Sequence, residues 1–235
     1  MEKVLVTGGK GRIGAIIFEA LKDVFDFTLV DCESRNIETI VRQINVASSY
    51  EELKEIIQGK DVVIHLAWNS RENWKSNSME PENKKMAENV YRAAMETGVP
   101  RVIMASSIHA DNFSHWHVPS PVTPNKIPIP NNLYGTTKVY IETLGRYYAT
   151  KGLEVICIRF GGVSLHDKLR NEEGYEKFWL SRRDCASLVK RCIEVKRIPF
   201  GFELVYGVSN NANRIHDWEN NLDWIPVDDS SKMVK

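Results

Sequence analysis

The sequence predicts an α/β fold: a doubly wound parallel sheet with helices on both faces, followed by a small C-terminal lobe. Three observations carry that expectation. The chain opens with a strand, a glycine-rich turn and a helix; a second apolar run ends in Asp31; and apolar runs alternate with helix-period segments as far as Phe160. Right-handed crossovers between parallel strands put the helices on both faces. At 235 residues the chain can bury a full-sized core. It divides into 1–160, where the alternation is strict, and 161–235, a lobe interleaved with the last strand rather than a cleanly separate domain.

Lys3 to Thr7 reads as a buried strand, Gly8 to Gly14 as a tight turn, and Ala15 to Leu21 as an apolar helical run. Gly9, Gly11 and Gly14 fit G-x-G-x-x-G, and Gly8, Gly11 and Gly14 give the related spacing three apart. Glycine has no Cβ and tolerates positive φ, so N–H groups at the helix start can point at phosphate oxygens, where the helix dipole also favours negative charge. Alone, such a turn serves equally as a flexible connection. Phe27 to Asp31 adds the other half of a Rossmann-like dinucleotide site: a buried strand ending in a carboxylate placed to accept hydrogen bonds from an adenosine ribose. Asp31 would repel a 2′-phosphate, so NAD is expected over NADP. Lys10, Arg12 and Arg35 weigh the other way.

Further along, Ile40 to Val46 is a weaker strand, and Ser48 and Ser49 with Glu51 and Glu52 form overlapping capping boxes for a helix to Gln58. Asp61 to Ala67 is a continuous apolar strand of the kind buried on both faces. Trp68 to Met79 is a polar loop leaving the C-terminal edge of the sheet, where open α/β sheets bind ligands. Pro81 to Thr97 is a long helix with proline in its first turn and Gly98 past its end. Arg101 to Ser106 delivers Ser106, Ser107 and His109 to the same edge. Ala110 to Asn132 holds most of the prolines in a long loop. Leu133 to Lys151 is helical with Gly152 as its stop, Leu153 to Phe160 is a buried strand broken by Gly161 and Gly162, Trp179 to Val195 is helical, and Phe202 to Val208 is the last strand. Ser209 to Lys235 has no clear period.

Composition narrows the partners. Lys plus Arg equal Asp plus Glu at 31 each, with no basic run, so neither a nucleic acid nor an anionic membrane surface is expected. The six tryptophans read as core and pocket walls. No stretch has the length of a membrane span, and the first strand begins with no charged segment and apolar run before it, which points to the cytoplasm. Cys32, Cys157, Cys185 and Cys192 form no C-x-x-C pair and read as buried free thiols. His115-Trp116-His117 lacks a third ligand at a suggestive offset, so no metal is expected.

The chemistry gathers at Tyr134-Gly135-Thr136-Thr137-Lys138. Residues four apart share a helical face, so phenol and ammonium lie side by side, and a nearby cation would lower the tyrosine pKa toward a value useful for general base work. Spacing alone fits an ordinary aromatic beside a solvated lysine just as well. Ser107, at the ligand edge, changes the balance: the glycine turn would hold the cofactor, the serine would orient the reacting oxygen, and the Tyr–Lys pair would move its proton. Together they form a set for hydride transfer.

In these motifs the chain resembles the extended short-chain dehydrogenase/reductase family, which includes NAD-dependent sugar epimerases and dehydratases. Thr7 to Gly14 looks like its T-G-x-x-G-x-x-G loop, His65-Leu66-Ala67 like its H-L-A strand end, and Ser106-Ser107 with Tyr134 to Lys138 like its catalytic serine and Y-G-x-x-K. Within it, the pattern is most similar to the uronate dehydrogenases, through Ser106 to His109, Arg159-Phe160-Gly161, Trp179-Leu180-Ser181 with Asp184, and Val205 to Ser209. The resemblance implies cofactor contacts at Gly8, Gly11, Arg12, Ile13, Gly14, Asp31, Asn45, Val46, Leu66, Ala67, Asn83, Tyr134 and Lys138. It implies substrate contacts at Ser70, Ser107, His109, Tyr134, Gly162 and Arg170, with Tyr134 as acid/base. Ile108 stands where those enzymes have asparagine and Gly162 where they have serine, and their carboxylate-binding arginine falls near Gly174, leaving Arg170 to take over. A uronate would therefore lose polar partners. The expectation is an NAD-dependent oxidoreductase acting on a sugar or sugar acid, with a sugar-nucleotide epimerase or dehydratase, or a non-catalytic NAD-binding regulator, as alternatives. The resemblance also implies a homodimer through the helices at Pro81 and Leu133.

Overall fold

The structure is a computed structural model, and it describes residues 1–33, 41–111 and 121–233. The chain runs β1 (Lys3–Thr7), α1 (Arg12–Leu21), β2 (Asp26–Asp31), β3 (Val41–Gln43), α2 (Tyr50–Ile57), β4 (Val62–His65), α3 (Ser70–Lys75), α4 (Pro81–Thr97), β5 (Arg101–Ser107), α5 (Leu133–Ala149) and β6 (Glu154–Phe160). It continues through β7 (Gly162–Val163), α6 (Tyr175–Phe178), β8 (Trp179–Leu180), α7 (Arg182–Glu194) and β9 (Phe202–Gly207). The main sheet has the order β3-β2-β1-β4-β5-β6-β9, and every neighbouring pair is parallel. Chain order reverses between β1 and β4, so a crevice opens at the carboxyl ends of these two strands.

The two faces follow from the period of the strands. Val4 and Val6 point to the side covered by α1 and α7, while Leu5 points to the side covered by α2, α4 and α5. All three are buried, as the continuous apolar run requires of a strand covered on both faces. On α4, Ala87, Val90, Tyr91 and Ala94 recur at helical spacing on the buried face. Gly98 ends that helix at φ +74°, a left-handed position that glycine takes without strain.

The residues after Phe160 supply β9 to the main sheet and also form the two-stranded β7–β8 sheet, where Gly162 pairs with Trp179 and Val163 with Leu180. Tyr175, Phe178 and Trp179 pack with Ile108, Val122, Tyr206 and Val208 into a separate apolar cluster. Asp184, fully buried, accepts hydrogen bonds from the Val227 and Asp228 N–H groups and from Ser209 Oγ, which ties down the last residues.

Several local expectations are corrected. Helix α7 begins at Arg182 rather than Trp179, because Trp179–Leu180 pair as a strand and Ser181 Oγ caps the helix by accepting the Asp184 N–H at 2.9 Å. The polar loop after β4 contains the helix α3. Ser49 caps α2 with no side-chain bond; Asn45 Oδ1 instead accepts the N–H groups of Ala47 and Ser48 at 2.9 and 3.3 Å. Cys32 is exposed at the end of β2, while the other three thiols are buried. Arg35, Ile40 and His115-Trp116-His117 lie outside the described residues. Among the described residues no helix is long and apolar enough to cross a membrane.

Candidate active site

The glycine turn is built to bring backbone close to backbone. Gly8 has φ +72°, and a Cβ there would lie 2.5 Å from the Ala67 nitrogen, so only glycine lets β1 turn against the end of β4. A Cβ on Gly14 would lie 2.6 Å from the Gly9 carbonyl oxygen, so α1 could not seat on the turn. Gly11, at the start of α1, offers no side-chain cap, which leaves first-turn N–H groups for an anionic ligand. This cradle fits a dinucleotide pyrophosphate.

Asp31 ends β2 beside the turn, and its Oδ2 accepts the Lys10 N–H at 3.0 Å. Lys10 Nζ donates to the Glu33 carbonyl at 2.6 Å, and Arg12 Nη1 reaches across to the Val163 carbonyl at 2.9 Å. Next to β3, Val46 is buried, and the buried Asn89 of α4 donates through Nδ2 to the carbonyls of Val46 and Ala47 at 2.8 and 3.0 Å. Asn89 escaped the sequence reading; its signal is an amide among apolar residues on the core face of α4. Asn83, also fully buried, brackets Asn69: Oδ1 accepts its N–H at 2.7 Å and Nδ2 donates to its carbonyl at 3.2 Å. That amide holds the loop after β4 from beneath.

A cleft of about 390 Å³ runs from the turn to the ends of β4 and β5 and the start of α5. Gly8, Gly11, Arg12, Ile13, Gly14 and Leu66 line one part, and Trp68, Ser70, Ser107, Tyr134 and Lys138 line another. Gly135 explains how Tyr134 reaches Ser107. A Cβ at position 135 would lie 1.9 Å from the His109 carbonyl oxygen, so glycine lets the first turn of α5 pack directly on the chain leaving β5. Asn132 caps that turn, its Oδ1 accepting the Gly135 N–H at 2.7 Å.

The electrostatics differ from the expectation that Lys138 lowers the tyrosine pKa. Burial pushes the Tyr134 phenol up, and the opposing influence is a hydrogen bond with Ser107. Lys138 is elsewhere engaged: Nζ donates to the Ala105 carbonyl at 2.8 Å and sits 3.3 Å from the Trp68 ring centroid, against 5.5 Å from that of Tyr134. Burial pushes the ammonium well down, with the charge of Glu142, one turn further along α5, opposing without restoring it. His109, 5.7 Å from the Tyr134 ring, is pushed down to about 4 by burial, with a hydrogen bond to Asn131 opposing. It is therefore neutral at pH 7.

Gly162 and Arg170 meet on Tyr175 instead of each other. A Cβ on Gly162 would lie 2.5 Å from the Tyr175 ring, so that ring fills the space a side chain at 162 would need, and the Arg170 guanidinium lies 5.5 Å from the ring centroid. No sequence pattern pairs positions 162 and 175.

The model of the NAD dependent epimerase/dehydratase family matches residues 4–232. An NAD-dependent glucose-6-phosphate dehydrogenase from Haloferax volcanii is 29% identical over 99% of this chain and 96% of its own length. A uronate dehydrogenase from Pseudomonas putida is 28% identical over 97% of this chain and 85% of its own. Among solved structures, a mutant uronate dehydrogenase from Agrobacterium tumefaciens complexed with NAD superposes with a TM-score of 0.83 at 25% identity, covering 98% of this chain and 86% of that one.

Proposed function

The chain belongs to the NAD dependent epimerase/dehydratase family, and from that premise we propose that this NAD-dependent enzyme oxidises a hydroxyl of a sugar or sugar acid, with Ser107, Tyr134 and Lys138 as its proton-transfer site. One observation carries the reading: those three side chains line the same cleft as the glycine turn. Relatives named as dehydrogenases of glucose 6-phosphate and uronate support the substrate class.

When bound, NAD supplies the acceptor for the hydride that leaves the substrate carbon with its bonding electron pair. Ser107 holds the reacting oxygen, and Tyr134, as phenolate, takes the hydroxyl proton as the C–O bond becomes C=O. Lys138, fixed by the Ala105 carbonyl, holds the nicotinamide side, and the hydrogen bond from Ser107 is what favours the phenolate. In this reading residues 1–160 carry the cofactor and catalytic groups, while 161–235 shape the substrate side. A cytoplasmic homodimer through α4 and α5, where Tyr147 remains exposed, belongs to the same reading; a monomer in sedimentation would remove the dimer.

Tyr134→Phe tests the chemistry. Turnover, followed as NADH formation over aldoses, uronates and sugar phosphates, should fall by about 10²-fold or more, because the general base is gone. NAD binding, measured by calorimetry, should stay close to wild type. Wild-type-like turnover in the variant removes Tyr134 from the mechanism, and substrate conversion without net NADH selects an epimerase or dehydratase instead.

A further inference from the structure

Helix α3 leaves the edge of the cleft carrying Trp74, a residue 49% exposed. Its ring centroid lies 4.5 Å from that of His109 and 5.5 Å from that of Tyr134, edge to face with both. Three asparagines fix this short helix. Asn73, fully buried, accepts the Trp68 Nε1–H at 3.0 Å and donates to the Ser78 carbonyl. Asn83 brackets Asn69, just before the helix. Asn77 takes a left-handed φ of +47°, and its Oδ1 accepts the Leu133 N–H at 3.2 Å, one residue before Tyr134.

Such anchoring is out of proportion to what a half-exposed indole returns in burial, and buried amides are placed at a desolvation cost that only satisfied hydrogen bonds offset. Rigid support of a side chain from beneath is the pattern of a preorganised ligand contact. Trp74 and His109 flank the ring of Tyr134, which lines the cleft together with the hydroxyl-bearing Ser70 and Ser107, so an aromatic surface adjoins a few polar groups. A closed sugar ring matches that division. Its faces present C–H groups and its rim presents hydroxyls, whereas an open-chain polyol has no flat apolar face. His109, neutral at pH 7, adds ring surface and a hydrogen-bonding nitrogen rather than a cation.

We propose that Trp74 determines specificity: with His109 it forms the wall against which a ring-closed sugar lays its C–H face while the reacting hydroxyl meets Tyr134. This rests on the sugar-dehydrogenase reading, and the test separates the two. Steady-state kinetics of wild type, Trp74→Ala and Trp74→Phe would be measured with L-arabinose, D-glucose, glucose 6-phosphate and D-glucuronate, and with sorbitol as the open-chain control. The same sugars would be titrated calorimetrically into NAD-loaded protein.

For an accepted ring sugar, Trp74→Ala should raise KM by about tenfold, the worth of one good aromatic contact, and Trp74→Phe should recover most of it. The values of kcat and of KM for NAD should stay within about twofold, the signature of lost uniform binding. An unchanged sugar KM, or an equal loss with sorbitol, overturns the proposal. If no sugar yields NADH, the dehydrogenase reading fails, and the titrations decide Trp74 alone: binding weakened in Trp74→Ala upholds the wall, while equal binding, or no sugar binding to wild type, removes it. Should Trp74→Ala melt early, Trp74→Leu keeps the apolar bulk without the ring and gives the same readout.

Discussion

Glu142 of α5 and Arg159 of β6 meet fork to fork, with Arg159 Nε donating to Glu142 Oε1 at 2.9 Å and Nη2 to Oε2 at 2.8 Å. Both side chains are buried. Ser106 Oγ donates to the same carboxylate, and Arg159 Nη1 donates to Tyr206 Oη at 3.0 Å, which in turn donates to Asp111 at 2.7 Å. Burial works to discharge the guanidinium, and the hydrogen bonds and charge of Glu142 outweigh it, holding Arg159 above its ordinary value. Glu142→Ala strips that partner from a desolvated cation and should cost about 3–5 kcal/mol, read by urea unfolding. Adding Arg159→Met should recover part of the loss, because the cation then left with Asp111 alone, 3.5 Å from its Nη1, disappears with it. A single variant as stable as wild type would mean that water reaches Arg159.

Asp31 accepts the Lys10 N–H at 3.0 Å at the point where the adenosine ribose is expected. Of the basic groups that could favour a 2′-phosphate, Arg12 is drawn to the Val163 carbonyl and Lys10 to that of Glu33. Asp31→Ala should therefore weaken NAD binding by about tenfold, the scale of a charged hydrogen bond, and narrow the preference over NADP. Calorimetric affinities for the two cofactors check it; an unchanged ratio would show that Asp31 does not discriminate.

What was legible in the sequence was local. The glycine turn, the continuous apolar runs of the strands and the four-residue spacing of Tyr134 and Lys138 each express a rule that acts within a few residues; the sheet contains those runs as strands, and the turn, Tyr134 and Lys138 line one cleft. What depended on distant partners was not. Trp179 has a helical neighbourhood but pairs with Gly162; the space at Gly162 belongs to Tyr175; the turn at Val46 is held by Asn89 from another helix. The tuning of Tyr134 failed for the same reason. Helical spacing puts Lys138 on the right face, but the direction of its ammonium is set by the Ala105 carbonyl and the Trp68 ring, which the spacing does not encode.

His216 is fully buried, its ring centroid lies 4.7 Å from that of Tyr206, and neither ring nitrogen finds a partner among the described residues. Burial first, then the charge of Arg159, pushes its pKa from the ordinary 6.5 down to about 3. His65, buried and 2.7 Å from Thr7 Oγ1, is pushed to about 3 by burial and by Lys138. Because the folded values are depressed, the unfolded chain binds protons that the folded chain refuses as pH falls from 6.5 toward 3. Stability is then complete above 6.5 and lost on acidification, at up to about 1.4 kcal/mol per pH unit for each histidine. His216→Phe should flatten the acid limb of a plot of unfolding free energy against pH by one such increment. The comparison is between slopes, so any packing change that shifts both limbs equally drops out. An acid limb as steep as wild type would mean that His216 takes up its proton in the folded state.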